Sequence, residues 1–202
     1  MKIKAIVFDM GGVLLRTMDG SRREEMARRF GTTRRELEKT LFLSPTSIQS
    51  EVGQLSDIDH WRAVLQHYQQ PEEDYHEAYT GFFSGDEIDA VFMDYIRALK
   101  VEYRVGLLSN AWMNARQNLG KLYDFIDVFD VSIFSAEVGL RKPDKRIFQL
   151  MLEKLGVEAQ ETIFVDDFAE NISGAAALGM QAILFREREQ AIQEINQLLG
   201  KC

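Results

Sequence analysis

Five short, largely apolar runs constrain this chain more than any other feature. They lie at residues 3–8, 105–108, 131–134, 162–165 and 181–185, and they favour β-branched and aromatic side chains. Strands that are apolar on both faces need cover on both faces, which marks a parallel sheet rather than an antiparallel one open to water. Helical text separates the later runs. Ile88, Val91, Phe92, Tyr95, Ile96 and Leu99 keep the three-and-four spacing of one helix face. Ile147, Phe148, Met151, Leu152 and Leu155 do the same, as do Ile192, Ile195, Leu198 and Leu199. The alternation predicts an α/β fold, a doubly wound parallel sheet with helices on both sides.

Residues 16–85 break the alternation. They read as helix and turn without a convincing strand and are richer in Arg, Glu and Gln. The expected organisation is an α/β core of residues 1–15 and 86–202 with an all-helical cap of residues 16–85 between. An insertion after the carboxyl end of a strand falls over the region where open α/β sheets bind ligands, so it is placed to act as a lid. Arg22, Arg23, Arg28, Arg29, Arg34 and Arg35 in this stretch alternate with Glu24, Glu25 and Glu36, the pattern of a solvated helix face.

Charge and cysteine content narrow the function. The chain carries 24 Lys and Arg against 32 Asp and Glu, a net charge of −8. That balance disfavours nucleic acid and anionic membrane surfaces as partners. Cys202 is the only cysteine, which excludes an intrachain disulfide and any site needing two thiolates. The apolar stretch 5–8 is too short for a secretory signal, and no segment reaches the roughly 18 apolar residues that span a bilayer. The expected setting is cytoplasmic, the expected state a monomer or dimer.

Polar clusters follow four of the five runs. Asp9-Met10-Gly11-Gly12-Val13 ends the first; an acid at a strand end beside a sheet core loses solvation, which suggests a cation or a reaction. Ser109-Asn110 ends the second, a hydroxyl and an amide expected to enter a helix and face an anion. Arg141-Lys142-Pro143-Asp144 lies beyond the third and reads as a helix start. Asp166-Asp167 ends the fourth, with Asn171 five residues beyond Asp166. Singly these are ordinary capping and turn residues. Together at one sheet edge they supply a carboxylate nucleophile, a hydroxyl, a fixed cation and a carboxylate pair. That set suits phosphoryl transfer through an aspartyl-phosphate, with Mg²⁺ held by carboxylates.

The motifs FDMGGVL (residues 8–14), LLSNA (107–111), GLRKPDKRIF (139–148) and VDDFAENISGA (165–175) resemble, in order and spacing, those of the haloacid dehalogenase superfamily. The helical stretch after the first motif resembles the phosphatase branch with a small helical cap. The resemblance implies a Rossmann-like core and a Mg²⁺-dependent phosphatase acting on a small phosphorylated metabolite, such as a sugar phosphate. It implies Asp9 as nucleophile, and Asp9, the Gly11 carbonyl and Asp166 as metal ligands. Ser109, Asn110 and Lys142 would bind the phosphoryl group, Lys142 also serving catalysis, with Asp167 and Asn171 supporting the metal site.

One position departs from that pattern. Phosphatases of the family usually carry a second aspartate two residues after the nucleophile, where this chain has Gly11. Its absence removes a proton donor worth roughly a hundred- to ten-thousandfold in rate. Three readings follow: a phosphatase of esters with good leaving groups or with a borrowed acid, for which Asp19 is nominated; a non-catalytic or degenerate binder of phosphorylated ligands; and a metal-independent dehalogenase. The intact Asp166-Asp167 pair favours a cation and disfavours the last. Elsewhere, His60, His67 and His76 read as packing or surface residues. Trp61, Tyr79, Phe82 and Phe83 read as packing of the helical segment. Trp112 is placed to touch substrate, and Arg141 to contact phosphate or pair with Glu137.

Overall fold

The computed structural model describes residues 2–123 and 125–201; Cys202 lies outside the described residues. Five parallel strands form the central sheet: β1 (Ala5–Phe8), β4 (Arg104–Ser109), β5 (Val131–Phe134), β6 (Thr162–Asp166) and β7 (Gln181–Leu184), in spatial order β5-β4-β1-β6-β7. All five predicted runs are strands of this sheet. The order reverses at β1, where the chain winds outward in both directions. Side chains alternate across the sheet and fill separate cores. Ile6, Phe8, Leu107 and Val165 pack with α6 (Ala90–Leu99) and α11 (Arg188–Leu199). Ala5, Val7, Leu108 and Phe164 pack with α9 (Lys145–Leu155) and α10 (Ala169–Ala177). The three periodic helix faces read from the sequence fall on these α6, α9 and α11, except that Ile88 lies before α6, in a short strand, and Val91 and Leu198 are exposed.

Two expectations about the first 90 residues need correction. Leu15–Thr17 (β2) and Asp86–Ile88 (β3) are strands, paired antiparallel in a ribbon of their own. At three residues each they offer no period to read, and 69 residues separate Thr17 from its partner Asp86. The arginine run is also not wholly solvated. Arg23 is buried and donates from one terminal nitrogen to both Asp86 carboxylate oxygens at 2.7 Å. Its Nε donates to the Phe82 carbonyl, and its guanidinium lies 4.1 Å from the Phe82 ring centre. A buried guanidinium needs such full pairing to offset its lost hydration.

Between β2 and β3 lie α1 (Ser21–Arg29), α2 (Arg34–Leu43), α3 (Pro45–Glu51), α4 (Asp57–His67) and α5 (Tyr75–Phe83). Thr33, Ser44 and Ser56 cap α2, α3 and α4 with side-chain oxygens that accept from backbone N–H groups. These helices share an apolar core of Leu37, Leu41, Trp61, Val64, Leu65 and Phe82. Trp112 enters that core from the loop after β4, its ring stacked at 6.1 Å on Phe42 and 4.8 Å from His60. The expectation that Trp112 faces substrate gives way to packing. His60 is fully buried, bonded through Nδ1 to Thr46 Oγ1 and through Nε2 to the Leu41 carbonyl, and burial lowers its pKa. It is a packing residue, as expected. Among the described residues, no helix is long and apolar enough to cross a membrane.

Candidate active site

Sheet register brings the clusters together. Phe8 lies opposite both Leu107 and Val165, so Asp9 emerges level with Asp166 on one side and one residue short of Ser109 on the other. The Asp9 N–H donates to the Val165 carbonyl at 2.8 Å, extending the ladder to the aspartate itself. This is the carboxyl edge of the sheet at its topological switch, where open α/β folds bind ligands.

Lys142 is fully buried and reaches this edge from the loop before α9. Its Nζ donates to Asp9 Oδ1 at 2.5 Å and to Asp166 Oδ2 at 2.6 Å. Burial alone lowers an ammonium pKa, but the Asp9 and Asp166 charges outweigh it and hold Lys142 above its ordinary value. Asp166 also accepts from the Phe168 N–H at 2.8 Å and from Asn171 Nδ2 at 3.0 Å. Asn171 therefore fixes the Asp166 carboxylate, five residues away across the first turn of α10.

Asp167 completes the group. Carboxylate oxygens of Asp9, Asp166 and Asp167 lie within 4.8 Å of one another. Asp167 Oδ1 is buried without a hydrogen-bond partner among the described residues. Gly12 makes room for this carboxylate: a Cβ there would lie 2.2 Å from Asp167 Oδ2, and its φ of +82° is one that side chains disfavour. Burial, opposed by Lys142 and reinforced by Asp166 and Asp167, pushes the Asp9 carboxyl up to about 7. Burial and the Asp166 charge push Asp167 up to about 6. Three carboxylates against one ammonium leave two negative charges unbalanced when all are ionised. Hard oxygen donors, an orphaned acceptor and that charge deficit fit Mg²⁺.

Several expected residues take other places. Ser109 is buried at the end of β4, but no helix starts behind it; α7 (Ala115–Leu122) begins six residues later. The Asn110 side chain, expected to face phosphate, is committed to the Lys142 backbone. Its Nδ2 donates to the Lys142 carbonyl at 3.0 Å, and its Oδ1 accepts from the Lys142 N–H at 2.8 Å. Arg141 does not pair with Glu137: its Nε donates to Glu51 Oε2 at 2.5 Å, while Glu137 is held by Arg116. Asp19 is exposed and accepts from the Ser21 N–H at the start of α1, which lowers its pKa. A carboxylate held ionised in this way is unsuited to donate a proton. At Gly11, a Cβ would meet nothing within 4 Å among the described residues.

The site is thus an acidic triad facing a buried ammonium at the switch point of a doubly wound sheet. The chain belongs to the haloacid dehalogenase-like hydrolases, whose family model matches residues 3–179. It is 30% identical to a D-ribitol-5-phosphate phosphatase of Bacteroides thetaiotaomicron, over 98% of this chain and 99% of that one. It is 28% identical to a sesquiterpene phosphatase of Aspergillus oryzae, over 98% and 97% of the two chains. Other relatives are far longer: this chain spans 29% of a drimenol cyclase of Aspergillus calidoustus, 7% of a mouse acyl-CoA dehydrogenase family member and 18% of a pig bifunctional epoxide hydrolase. A haloacid dehalogenase-like hydrolase of Porphyromonas gingivalis superposes with a TM-score of 0.72 at 27% identity, covering 98% of each chain. A family enzyme of Bacteroides thetaiotaomicron, crystallised with magnesium and inorganic phosphate, does so with 0.73 at 25% identity, over 91% of this chain and 94% of that one.

Proposed function

We propose that this chain is a Mg²⁺-dependent phosphatase of a small phosphorylated metabolite, working through an aspartyl-phosphate on Asp9. The observation that carries the reading is the Asp9–Lys142–Asp166 bridge with Asp167 beside it. The phosphatases matched over almost the whole chain support it. Asp9 and Asp166, with the Gly11 carbonyl, would hold Mg²⁺, and Asp167 would support its water shell. When bound, the ion offsets the carboxylate charge and that of the transferring phosphoryl group. Asp9 attacks phosphorus through a carboxylate oxygen and the ester oxygen leaves. Lys142 and the Ser109 hydroxyl hold the phosphoryl oxygens, and Asn110 and Asn171 keep Lys142 and Asp166 in place. Water then cleaves the acyl phosphate and regenerates Asp9. Residues 1–15 and 86–202 form the hydrolase core in this reading, and residues 16–85 the cap above it.

Without a carboxylate at position 11, the leaving oxygen departs with little proton help. The test is phosphate release from p-nitrophenyl phosphate, a sugar 1-phosphate and a sugar 6-phosphate, with Mg²⁺ and with chelator. Release requires Mg²⁺, and the first two esters outpace the third. Absence of release from every ester, in either condition, overturns the reading. The open space at Gly11 allows a sharper check. Gly11→Asp speeds hydrolysis of the 6-phosphate by about tenfold or more, a fraction of what a positioned acid supplies elsewhere. It leaves p-nitrophenyl phosphate, whose leaving group needs no proton, little changed.

A further inference from the structure

The two segments that carry Ser109 and Lys142 are gripped by a single turn of the helical segment. Glu51 ends α3 and Asp57 begins α4, and both are buried. Glu51 accepts from Arg141, the residue before Lys142. Asp57 Oδ2 accepts from the Asn114 N–H at 3.2 Å, five residues after Ser109. Gly53 lies between them with a φ of +71°; a Cβ there would sit 2.7 Å from the Ala136 carbonyl and 3.1 Å from the Met113 methyl. The turn is thus seated directly on core backbone, where only glycine fits, with a carboxylate bolted to a different loop on each side. Within the core the same two segments are already joined, because the Asn110 side chain holds the Lys142 backbone from both ends.

We propose that Glu51 is a positioning residue: acting through Arg141, it couples docking of the helical cap to alignment of the phosphate-binding pair Ser109 and Lys142. Its carboxylate takes no part in the chemistry. When the turn lifts, Arg141 loses its only acidic partner among the described residues and the Lys142 loop is released at one end. A surface ion pair would do little of this, but the Glu51 side chain is about nine-tenths buried and its carboxylate has little access to bulk water as a substitute. The kinetic side of the inference rests on the phosphatase reading; the structural side does not.

The experiment compares wild type, Glu51→Gln, Arg141→Gln and the charge-swapped pair Glu51→Arg/Arg141→Glu. Backbone hydrogen exchange is read by peptide, with steady-state kinetics on p-nitrophenyl phosphate in saturating Mg²⁺. Each single variant raises exchange about tenfold in residues 45–57 and 139–144, leaving the peptides of β1 and β6 unchanged. Each lowers kcat about tenfold, and the swapped pair recovers most of that loss. Exchange and kcat within about twofold of wild type in both single variants overturn the proposal. So does local exchange that rises while kcat stays unchanged in an active wild type. Exchange that rises throughout the sheet marks a general structural role and overturns it as well. If wild type hydrolyses no ester, the phosphatase reading has failed, and the exchange pattern alone decides whether the coupling exists.

Discussion

Asp9→Asn lowers phosphate release to background, at least about a thousandfold below wild type, while the protein keeps its fold. The expectation rests on what the amide changes and what it leaves alone. Asparagine has the same shape, and the Asp9 N–H bond to Val165 does not involve the side chain. The amide can still meet part of the hydrogen bonding that now comes from Lys142 Nζ. It cannot attack phosphorus to form an acyl phosphate, and it gives a cation a weaker ligand. Burial and two neighbouring carboxylates push the Asp9 carboxyl up to about 7 against the pull of Lys142, so in the apo protein its charge is costly. Removing it relieves repulsion, and the melting temperature of Asp9→Asn without divalent ions is at or above that of wild type. Activity measured on p-nitrophenyl phosphate and thermal unfolding with chelator together check the prediction. Turnover within about tenfold of wild type would remove Asp9 as the nucleophile.

The sheet and most of the site were legible because their signals are local. A parallel strand writes its burial into consecutive residues, and a reacting group at its carboxyl end writes itself into the next one or two. Asp9, Ser109 and Asp166 stand in those places and the structure puts them there. Lys142 was legible only through its neighbours in the motif, since nothing in a lysine before a proline shows that it is buried. What could not be read are partnerships between distant residues whose sequence context suggests something else. Arg23 sits in a run of exposed charges, and only the fold delivers Asp86 from 63 residues away. Arg141 has a plausible partner four residues back in Glu137, yet it pairs with Glu51, 90 residues away. Asn110 looks like an anion donor, but holding the Lys142 backbone uses both ends of its amide. Trp112 follows the Ser109-Asn110 segment of the candidate site and is claimed by the aromatic core of the helices above it. In each case tertiary packing overrode what the local sequence suggested.

Lys142→Met separates the structural from the catalytic work of the same ammonium. Methionine keeps a similar length and lies along the same path past Phe164, whose ring centre is 5.6 Å from Nζ. Without the ammonium, Asp9 and Asp166 face each other buried and without a counter-charge, and stripping one partner from such a group costs about 3–5 kcal/mol. With chelator present, Lys142→Met therefore unfolds at lower denaturant, its extrapolated unfolding free energy reduced by about 3–5 kcal/mol. Mg²⁺ replaces the missing positive charge among the three carboxylates, and a ligand at a hundred times its dissociation constant adds about 2.7 kcal/mol. The stabilisation by Mg²⁺ is larger in the variant than in wild type, because Lys142 no longer shares Asp9 and Asp166 with the ion. Turnover does not return with it. The donor that meets the phosphoryl oxygens is gone, and loss of one such preorganised donor costs about a hundred- to a thousandfold in kcat. Denaturant unfolding and kinetics, each with Mg²⁺ and with chelator, give the four numbers needed. Stability recovered by Mg²⁺ with turnover still lost assigns Lys142 both tasks. Turnover recovered along with stability would leave the lysine a structural counter-ion and move the phosphoryl contact to Ser109 alone.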